Sequence, residues 1–422
     1  MTPESPPVTP LPVHWMDYIN RRMVAILVLG FSSGLPLFTL LSLLQAWLAK
    51  SGLSLKTLGL FALVMFPYTW KFLWSPLMDR FHFGALGRRR GWMALTQAAL
   101  FLAIGTMGML DPITQISLIA GVASVVAFLS ASQDIVVDAY RREVLPDNQQ
   151  ALGAAVYVNA YKIAGMIPGG LALVLANDMP WRPVFWITAS FMLPGLLCTL
   201  LVKEPELYGA PPKNIAEAVI LPFREFLLRD GWRKALWVLG FIFLYKLGDS
   251  MATALSTKFY LDTGFTLMQI GLVAKAVGLW AGVAGGIVGG IWMLKIGINR
   301  GLWVFGALQA VAVLGFAWLA YVGPNVLVLT TVIAFEAFAS LGLGATAFVA
   351  YLSRTTDPRY TATQYALFSS LAAVPRTFIN ASAGYIVAET GWILFFFVCF
   401  GLALPGLLML PKIAPWTEKV RP

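Results

Sequence analysis

The sequence predicts an all-α protein that crosses a membrane many times. Of its 422 residues, 59% are hydrophobic and only 12% are charged, whereas soluble domains carry about 25% charged residues. Apolar runs longer than the ~18 residues that cross a bilayer as a helix recur along the whole chain. Lys and Arg residues fall mainly on alternate connections between these runs. Together these observations predict a polytopic helical membrane protein.

Twelve apolar spans can be read along the chain, and we number them in order. They cover residues 23–48, 56–78, 91–110, 113–141, 150–176, 183–202, 234–257, 267–294, 301–322, 326–353, 361–387 and 391–410. The long connection 203–233 includes FREFLLRDGWRK, whose Phe and Leu residues beside arginines predict a short interfacial helix. We therefore expect a tail (1–22), a first half (23–202), a linker (203–233), a second half (234–410) and a tail (411–422).

The basic residues predict the orientation of the chain. When the linker and both tails are placed in the cytoplasm, most of the 30 Lys and Arg residues fall on the cytoplasmic side. Cytoplasmic loops of membrane proteins carry this excess of positive charge. The bias also accounts for the net charge of +10 without a nucleic-acid partner.

The two halves resemble each other weakly. Ala139-Tyr140 and Ala350-Tyr351 both end an even-numbered span, and Arg90-Gly91 and Arg300-Gly301 both open an odd-numbered one, with nearly the same offset. A common offset suggests duplicated six-helix units. This plan resembles the major facilitator fold, in which twelve transmembrane helices form two six-helix halves around a central cavity.

Charged residues within the spans support this arrangement. Spans 3, 6, 9 and 12, which support the outside of that fold, contain no Asp, Glu, Lys or Arg. A charge that faces lipid at mid-depth costs about 2.5–3.5 kcal/mol or more, so charges on the other spans should face water or one another. These charges are Lys71, Lys162, Lys246, Lys275, Arg376, Asp79 at the end of span 2, Asp134, Asp138, Asp249 and Glu336.

Depth and charge predict an anionic substrate. Lys162, Lys246, Glu336 and Arg376 lie near the middle of their spans, where transporters usually bind substrate, and three of the four are cations. The candidate substrate contacts are Gln133, Lys162, Lys246, Lys275, Arg376, Tyr161, Tyr245 and Trp280. Internal pairing is the alternative, since Lys246 could neutralise Asp249 and Arg376 could pair with Glu336.

The stretch SASQDIVVDAY places two acids, Asp134 and Asp138, on one face of span 4. Asp134 lies deeper in the span and is predicted to take up and release a proton. Glu336 is a second candidate for this role. Asp138 lies nearer the basic end and is predicted to pair with the basic cluster between spans 2 and 3.

The connection WSPLMDRFHFGALGRRRGW (74–92) resembles the loop signature of the major facilitator superfamily, Gly-x-Leu-Ala-Asp-Arg followed by basic residues, with Ser75 in place of Gly. The resemblance implies a cytoplasmic gate. Its predicted residues are Asp79, Arg80, Arg88, Arg89, Arg90, Asp138 and Arg142. The corresponding connection of the second half, GGIWMLKIGINRGLW, has no acid, so we expect an asymmetric gate.

Further segments are similar to the AmpG family of muropeptide permeases. They are GFSSGLPL, LQAWL, KFLWSPLMDR, GRRRGW and SASQDIVVDA, spread over much of residues 30–205. The resemblance implies proton-driven import of anhydromuropeptides (GlcNAc-anhydroMurNAc-peptides) across the bacterial inner membrane for cell-wall recycling, with a link to β-lactamase induction. The expected partners are a muropeptide, a proton and the lipid bilayer, and the expected state is a monomer without cofactor.

Three other functions stay open at this point. A transporter of another anionic solute, such as a smaller sugar-peptide, an acyl-CoA-like compound or an exported drug, fits the same charges. An enzyme would need a nucleophile–base pair or a metal site. His14 and His82 lie in a tail and a loop, and Cys198 and Cys399 lie in apolar runs, so we expect neither a metal site nor catalysis. A sensor or scaffold without transport is the third.

Overall fold

A computed structural model describes residues 20–53, 61–206, 215–378 and 380–417. Within these ranges, the side chains of Lys275, Arg376 and a few neighbouring residues also lie outside the description. The described residues form helices and their connections, apart from one isolated bridge between Phe83 and Gly87. The linker contains a helix over Ile215–Arg229, which includes the first part of the segment FREFLLRDGWRK, whereas Trp232, Arg233 and Lys234 of that segment begin span 7.

The first half follows the predicted spans, but several helices change geometry along their length. Span 1 comprises Arg21–Phe38, a π-helical segment Thr39–Leu44 and Gln45–Lys50. Span 2 is broken into Phe61–Met65, Phe66–Trp70, Lys71–Leu73 and Ser75–Arg80. Spans 3 and 4 are Arg89–Met107 and Ile116–Val144. Span 5 comprises Gln150–Ala164, the π-helical Ile167–Leu171 and Ala172–Asp178, and span 6 comprises Trp181–Ser190 and Leu193–Leu201.

The second half contains two long helices that bend at a glycine. Span 7 is divided into Trp232–Leu244, Leu247–Ala254 and Ser256–Thr263. Span 8 begins with Leu267–Ile270 and the π-helical Gly271–Val277, and then joins span 9 in Gly278–Val322, which turns at Gly297. Span 10 comprises Val326–Glu336, the π-helical Ala337–Gly344 and Ala345–Thr355. Span 11 is Thr361–Phe378, and Asn380–Ile413 turns at Gly391 into span 12.

Eight helical segments among the described residues are long and apolar enough to cross a membrane. They contain spans 1, 4, 5, 6, 7 and 10, the joined spans 8 and 9, and span 12 with the end of span 11. Span 2 does not reach this length because short helical pieces interrupt it, two of them with Pro67 or Pro76 in their first turn. The count of twelve spans therefore stays a prediction.

The internal repeat is visible where spans 3 and 9 begin. Gly87 and Gly297 have φ angles of +82° and +80°, a left-handed conformation that glycine adopts without steric cost. Each glycine precedes a duplicated arginine by three residues, Arg90 in the first half and Arg300 in the second. The duplicated sequence therefore builds the same backbone turn twice.

The two arginines also make equivalent contacts. Arg90 donates to the carbonyl oxygens of Thr199 and Leu200 at 3.0 and 2.6 Å, and Arg300 donates to the carbonyl oxygen of Trp416 at 3.2 Å. The carbonyls of Thr199 and Leu200 lie at the end of span 6, where a helix leaves carbonyls without internal partners, and Trp416 lies three residues beyond the end of span 12 at Ile413. Arg90 thus fastens the end of span 6 to span 3, and Arg300 fastens the segment after span 12 to span 9.

Glycines on span 8 allow two close helix contacts. A Cβ atom at Gly285 would lie 2.2 Å from the carbonyl oxygen of Phe338 on span 10. On the neighbouring face, a Cβ atom at Gly286 would lie 2.5 Å from the side-chain oxygen of Asn159 on span 5. Span 8 therefore packs closely on its own half and on the first half at the same time.

Replacing Gly285 by Ala should destabilise the protein by about 1–3 kcal/mol, because the added methyl group would overlap a backbone oxygen. Gly121 on span 4 has no atom within 4 Å of its would-be Cβ. Gly121→Ala should therefore be neutral or stabilising by up to about 1 kcal/mol through helix propensity. Thermal unfolding of the purified protein in detergent compares the two variants, and an unchanged midpoint for Gly285→Ala would contradict the packing described here.

Candidate functional site

Polar and charged side chains gather in three places. The first-half acid cluster contains Lys71, Asp134 and Asp138. The second-half cluster contains Lys246, Asp249 and Glu336. The arginine end, where spans 2 and 3 meet span 11, contains Asp79, Arg88, Arg89 and Glu143.

Asp134 lies at the centre of the first-half acid cluster. Its buried carboxylate accepts a hydrogen bond from the hydroxyl of Ser33 on span 1, and that hydroxyl accepts one from Tyr157 on span 5 at 3.4 Å. Lys71, buried on span 2, is close enough to interact electrostatically with both Asp134 and Asp138. Four spans therefore surround this carboxylate.

Two glycines of the stretch GFSSGLPL bring Ser33 to this position. A Cβ atom at Gly34 would lie 2.3 Å from the carbonyl oxygen of Tyr161, and one at Gly30 would lie 3.0 Å from the backbone of Tyr157. Span 1 can approach span 5 this closely only because both residues lack a side chain. Gly30 and Gly34 therefore allow the close contact between spans 1 and 5 that places Ser33 beside Asp134.

The structure gives Asp138 a different partner from the predicted basic cluster. Its carboxylate pairs with Arg141 of the same helix at 3.4 Å. Arg141 also donates to the hydroxyl of Tyr365 on span 11 at 3.0 Å, and its guanidinium lies over the rings of Tyr157 and Tyr365. Arg141, which we had not predicted as a site residue, therefore connects the two halves.

Lys246 is the centre of the second-half cluster. Its ammonium group pairs with Asp249 at 3.0 Å and donates to Gln309 at 2.8 Å and to the hydroxyl of Ser340 at 3.0 Å. The internal pairing that the sequence left open is therefore present for Lys246. Asp249 also contacts the carboxyl group of Glu336.

Lys162 of span 5 reaches from the first half into the same region. Its ammonium group donates to the carbonyl oxygen of Leu341 in the π-helical segment of span 10. The carbonyl oxygen of the preceding residue, Ser340, accepts from Lys246 at 3.2 Å. A π-helical segment shifts the backbone hydrogen-bonding pattern and is frequent at functional sites. Lysines from both halves thus converge on two consecutive carbonyls.

The remaining predicted substrate contacts lie elsewhere or are not described. Gln133 is fully buried and donates to the hydroxyl of Ser32 at 3.1 Å. Tyr245 is buried and donates to the carbonyl oxygen of Leu302 at 3.1 Å, so both bond within their own half. Tyr161 packs against Phe38 and Tyr157, and Trp280 is 56% exposed. The side chains of Lys275 and Arg376 lie outside the described part of the chain.

The arginine end contains a buried network of ion pairs. Arg89 is fully buried and bonds to Asp79 at 2.7 Å and to Glu143 at 2.6 Å, and Arg88 bonds to Glu143 at 3.1 Å. Of the other predicted gate residues, Arg142 pairs with Asp147 at 3.0 Å. The remaining one, Arg80, lies over the ring of Phe81.

Asp79 also joins the two halves. Its carboxylate accepts from the backbone N–H groups of Ala362 and Thr363 at 3.2 and 2.8 Å and from the Thr363 hydroxyl at 2.8 Å. These N–H groups begin span 11, where the first turn of a helix has no internal acceptors. We name this contact the latch, because separating the halves at this end would expose both partners.

Two glutamates in this region were missed in the sequence. Glu143 is the shared counter-charge of Arg88 and Arg89, and Glu204 accepts the backbone N–H groups of Arg89 and Arg90 at 2.7 and 2.9 Å, which caps span 3. The signal that could have found them is charge balance, since a buried arginine cluster needs more than one acid.

The linker helix attaches to the second half through a polar cluster. Arg229 pairs with Glu225 at 2.6 Å and donates to the carbonyl oxygen of Thr355 at 2.7 Å, and Gln364 donates to Glu225 at 2.6 Å. Half-burial opposes ionisation of the nearby Asp357, but hydrogen bonds from Arg359 still hold the pKa of Asp357 below its usual value. The linker is therefore fixed beside the start of span 11.

Comparison with known proteins agrees with this architecture. The sequence pattern of the Major Facilitator Superfamily matches residues 23–379. The chain is 41% identical to the anhydromuropeptide permease of Escherichia coli K12, over 92% of this chain and 79% of that protein. It is 33% identical to the putative transporter AmpG 4 of Rickettsia conorii, over 93% and 96%. The solved proton:xylose symporter XylE has a TM-score of 0.69 at 13% identity, over 94% of both chains.

The fold and these relatives define a multi-pass membrane transporter rather than an enzyme. The chain belongs to the major facilitator superfamily and, within it, to the AmpG family of permeases. The predicted fold class and the resemblance to this family are thus confirmed.

Replacing Asp79 by Asn should loosen the latch, because one carboxylate oxygen is lost and Arg89 keeps one counter-charge fewer. Ala366 is fully buried on span 11 and packs with Met78 of the first half. A cysteine at this position should react with maleimide at least about tenfold faster in Asp79→Asn, since a lost charged hydrogen bond is worth about 1.5–3 kcal/mol.

The labelling assay uses a protein in which Cys198 and Cys399 are replaced by serine. The control is Asp230→Asn, which removes a partly exposed ion pair with Lys234 and should label at the unmodified rate, because such pairs contribute little. Equal labelling of both variants would contradict a role of Asp79 as a latch.

Proposed function

We propose that this protein imports anhydromuropeptides from the periplasm into the cytoplasm by proton-coupled alternating access, in the service of cell-wall recycling and, through its family, of β-lactamase induction. The observation that carries the proposal is the 41% identity to an anhydromuropeptide permease along 92% of the chain. The proposed location is the bacterial inner membrane, with both termini in the cytoplasm, as the distribution of basic residues favours.

Lys162 and Lys246 are the proposed contacts for the carboxylates of the substrate peptide. They lie on opposite halves and meet at the carbonyls of Ser340 and Leu341. A carboxylate forms stronger hydrogen bonds with an ammonium group than a carbonyl does, so an entering substrate can replace the carbonyl of Leu341 at Lys162 and that of Ser340 at Lys246, while Lys246 stays paired with Asp249. Lys275 and Arg376 are proposed to add positive charge to the same cavity, and Tyr161 and Trp280 to offer rings to the sugars.

Asp134 is the proposed proton carrier of the first half. Among the described residues, Ser33 and Lys71 lie around its carboxylate, Tyr157 donates to Ser33, and no ion pair fixes the carboxylate. A proton can therefore be exchanged there without breaking a structural salt bridge. Glu336 is proposed as a proton carrier of the second half.

Alternating access would separate contacts that join the halves. These are Asp79 with the start of span 11, Arg141 with Tyr365, and Lys162 with Leu341. With the arginine end in the cytoplasm, the first two close the cytoplasmic side and the third lies deeper. Opening toward the cytoplasm must break all three, and substrate bound to Lys162 can compensate for the loss of the third.

The function is tested with the purified protein in proteoliposomes. Labelled anhydromuropeptide should exchange in counterflow and should accumulate when an inward proton gradient is imposed. Exchange of another labelled anionic solute, with no exchange of the muropeptide, would favour transport of a different anion. An absence of exchange with every solute would argue for a protein that does not transport.

Asp134→Asn should abolish proton-driven accumulation while counterflow of the labelled muropeptide continues, because the amide cannot release a proton. The control is Asp178→Asn, an exposed acid outside all three clusters, which should accumulate substrate normally. Normal accumulation by Asp134→Asn would remove this residue from the coupling mechanism.

Lys162→Gln should raise the KM for anhydromuropeptide by about 10–100-fold, because the variant loses a charged hydrogen bond to the substrate that is worth about 1.5–3 kcal/mol. A substrate analogue with amidated carboxyl groups should show nearly the same KM for both proteins, because it offers no carboxylate to Lys162. If both substrates are affected equally, Lys162 acts on the protein's conformation rather than on the substrate.

A further inference from the structure

Asp249 and Glu336 form a buried pair of acids between two helices of the second half. Asp249 lies on span 7 and Glu336 on span 10, and each residue is 6% exposed. Lys246 pairs with Asp249 and donates to Ser340, which lies about one turn after Glu336 on span 10, so the two carboxyl groups belong to one cluster and interact with each other. An ionised carboxylate can only accept hydrogen bonds, so two such groups bond to each other only when one of them carries a proton.

Among the described residues, the ion pair of this cluster neutralises one of the two carboxylates. Lys246 pairs with Asp249 at 3.0 Å and is fixed by Gln309 and Ser340, so it balances one of the two carboxylates. The Oδ1 atom of Asp249 and the Oε1 atom of Glu336 are buried and receive no hydrogen bond from a described residue. A proton on the pair neutralises the second carboxylate and supplies a donor.

We infer that Asp249 and Glu336 share one proton, and that this pair, with Lys246 as its fixed counter-ion, is the second proton-binding site of the transporter. The inference rests on the proposed function and deepens it, because it assigns Asp249 to the coupling machinery. Among the described residues, the other ionisable groups that act on the pair are Lys162 from span 5, and Tyr245 and Tyr260 from span 7.

The position of the pair gives the proton a direct effect on the contact between the halves. Glu336 is the last residue before the π-helical segment Ala337–Gly344, and Leu341 in that segment holds Lys162 of the first half. When the proton leaves, the pair and Lys246 together carry one net negative charge. That charge attracts Lys162 away from Leu341, so the protonation state decides which group binds the lysine.

Two conservative variants test the inference through transport. In Glu336→Gln the amide donates to Asp249 and imitates the protonated pair, and in Asp249→Asn the amide does the same toward Glu336. In both variants, proton-driven accumulation should therefore fall by a factor at least ten times larger than the factor by which counterflow falls. Asp178→Asn is the matched control. Normal accumulation by Asp249→Asn, combined with a loss in Glu336→Gln, would overturn the shared site and leave Glu336 acting alone.

A spectroscopic measurement keeps the test independent of transport and of the substrate. Infrared spectra of the detergent-solubilised protein at neutral pH should show a protonated carboxyl band that disappears in each single variant, because the remaining acid is then ionised beside Lys246. The spectra are compared in an Asp134→Asn background. A band that survives in either variant would overturn the shared proton, even if the protein transports a different solute or none.

Discussion

Buried charge is the constraint on which the arrangement of helices depends. In a membrane protein, an ionised side chain within the helices must find a partner, because an unpaired buried charge costs several kcal/mol. Arg89 meets this condition between Asp79 and Glu143, and Lys246 meets it with Asp249. The partners of Arg89 come from spans 2 and 4, so neutralising its charge also fixes these helices relative to span 3. Lys246 and Asp249 lie on the same span, and the hydrogen bonds of Lys246 to Gln309 and Ser340 join that span to spans 9 and 10.

The same constraint makes the two halves unequal, although their backbones repeat. Gly87 and Gly297 build the same turn, Arg90 bonds to the end of span 6, and Arg300 bonds to the segment that follows span 12. The acid of the latch, by contrast, has no counterpart in the connection between spans 8 and 9, whose sequence carries Lys295 and Arg300 without Asp or Glu. The duplicated residues therefore stabilise each half, and the residues found in one half alone join the halves.

The sequence could predict where charges are buried but not which charges meet. Hydropathy and the cost of lipid-facing charge predict that Asp134, Lys246 and Glu336 avoid lipid, and the structure buries Asp134 and Glu336 and pairs Lys246 with Asp249. The prediction that Asp138 pairs with the basic cluster between spans 2 and 3 was wrong, because Asp138 lies too deep in span 4 and Glu143 takes that position instead. Glu143 lies five residues, or about 7.5 Å of helix, beyond Asp138 toward the arginine end, at the level where span 3 begins.

Contacts with the backbone were out of reach of sequence reasoning for a different reason. The carbonyl of Leu341 becomes a lysine acceptor only because span 10 is π-helical there, and no residue type encodes that change of geometry by itself. Similar segments interrupt spans 1, 5 and 8, and spans 5, 8 and 10 meet at the contact between the halves. Irregular helix geometry is tolerated at membrane depth where protein or water covers the backbone. Of these segments, Ala337–Gly344 on span 10 lies at the contact between the halves, because its Leu341 carbonyl accepts a hydrogen bond from Lys162. In the function proposed above, a substrate carboxylate takes the place of this carbonyl, so the irregular segment lies where the proposed mechanism needs a contact that can be exchanged.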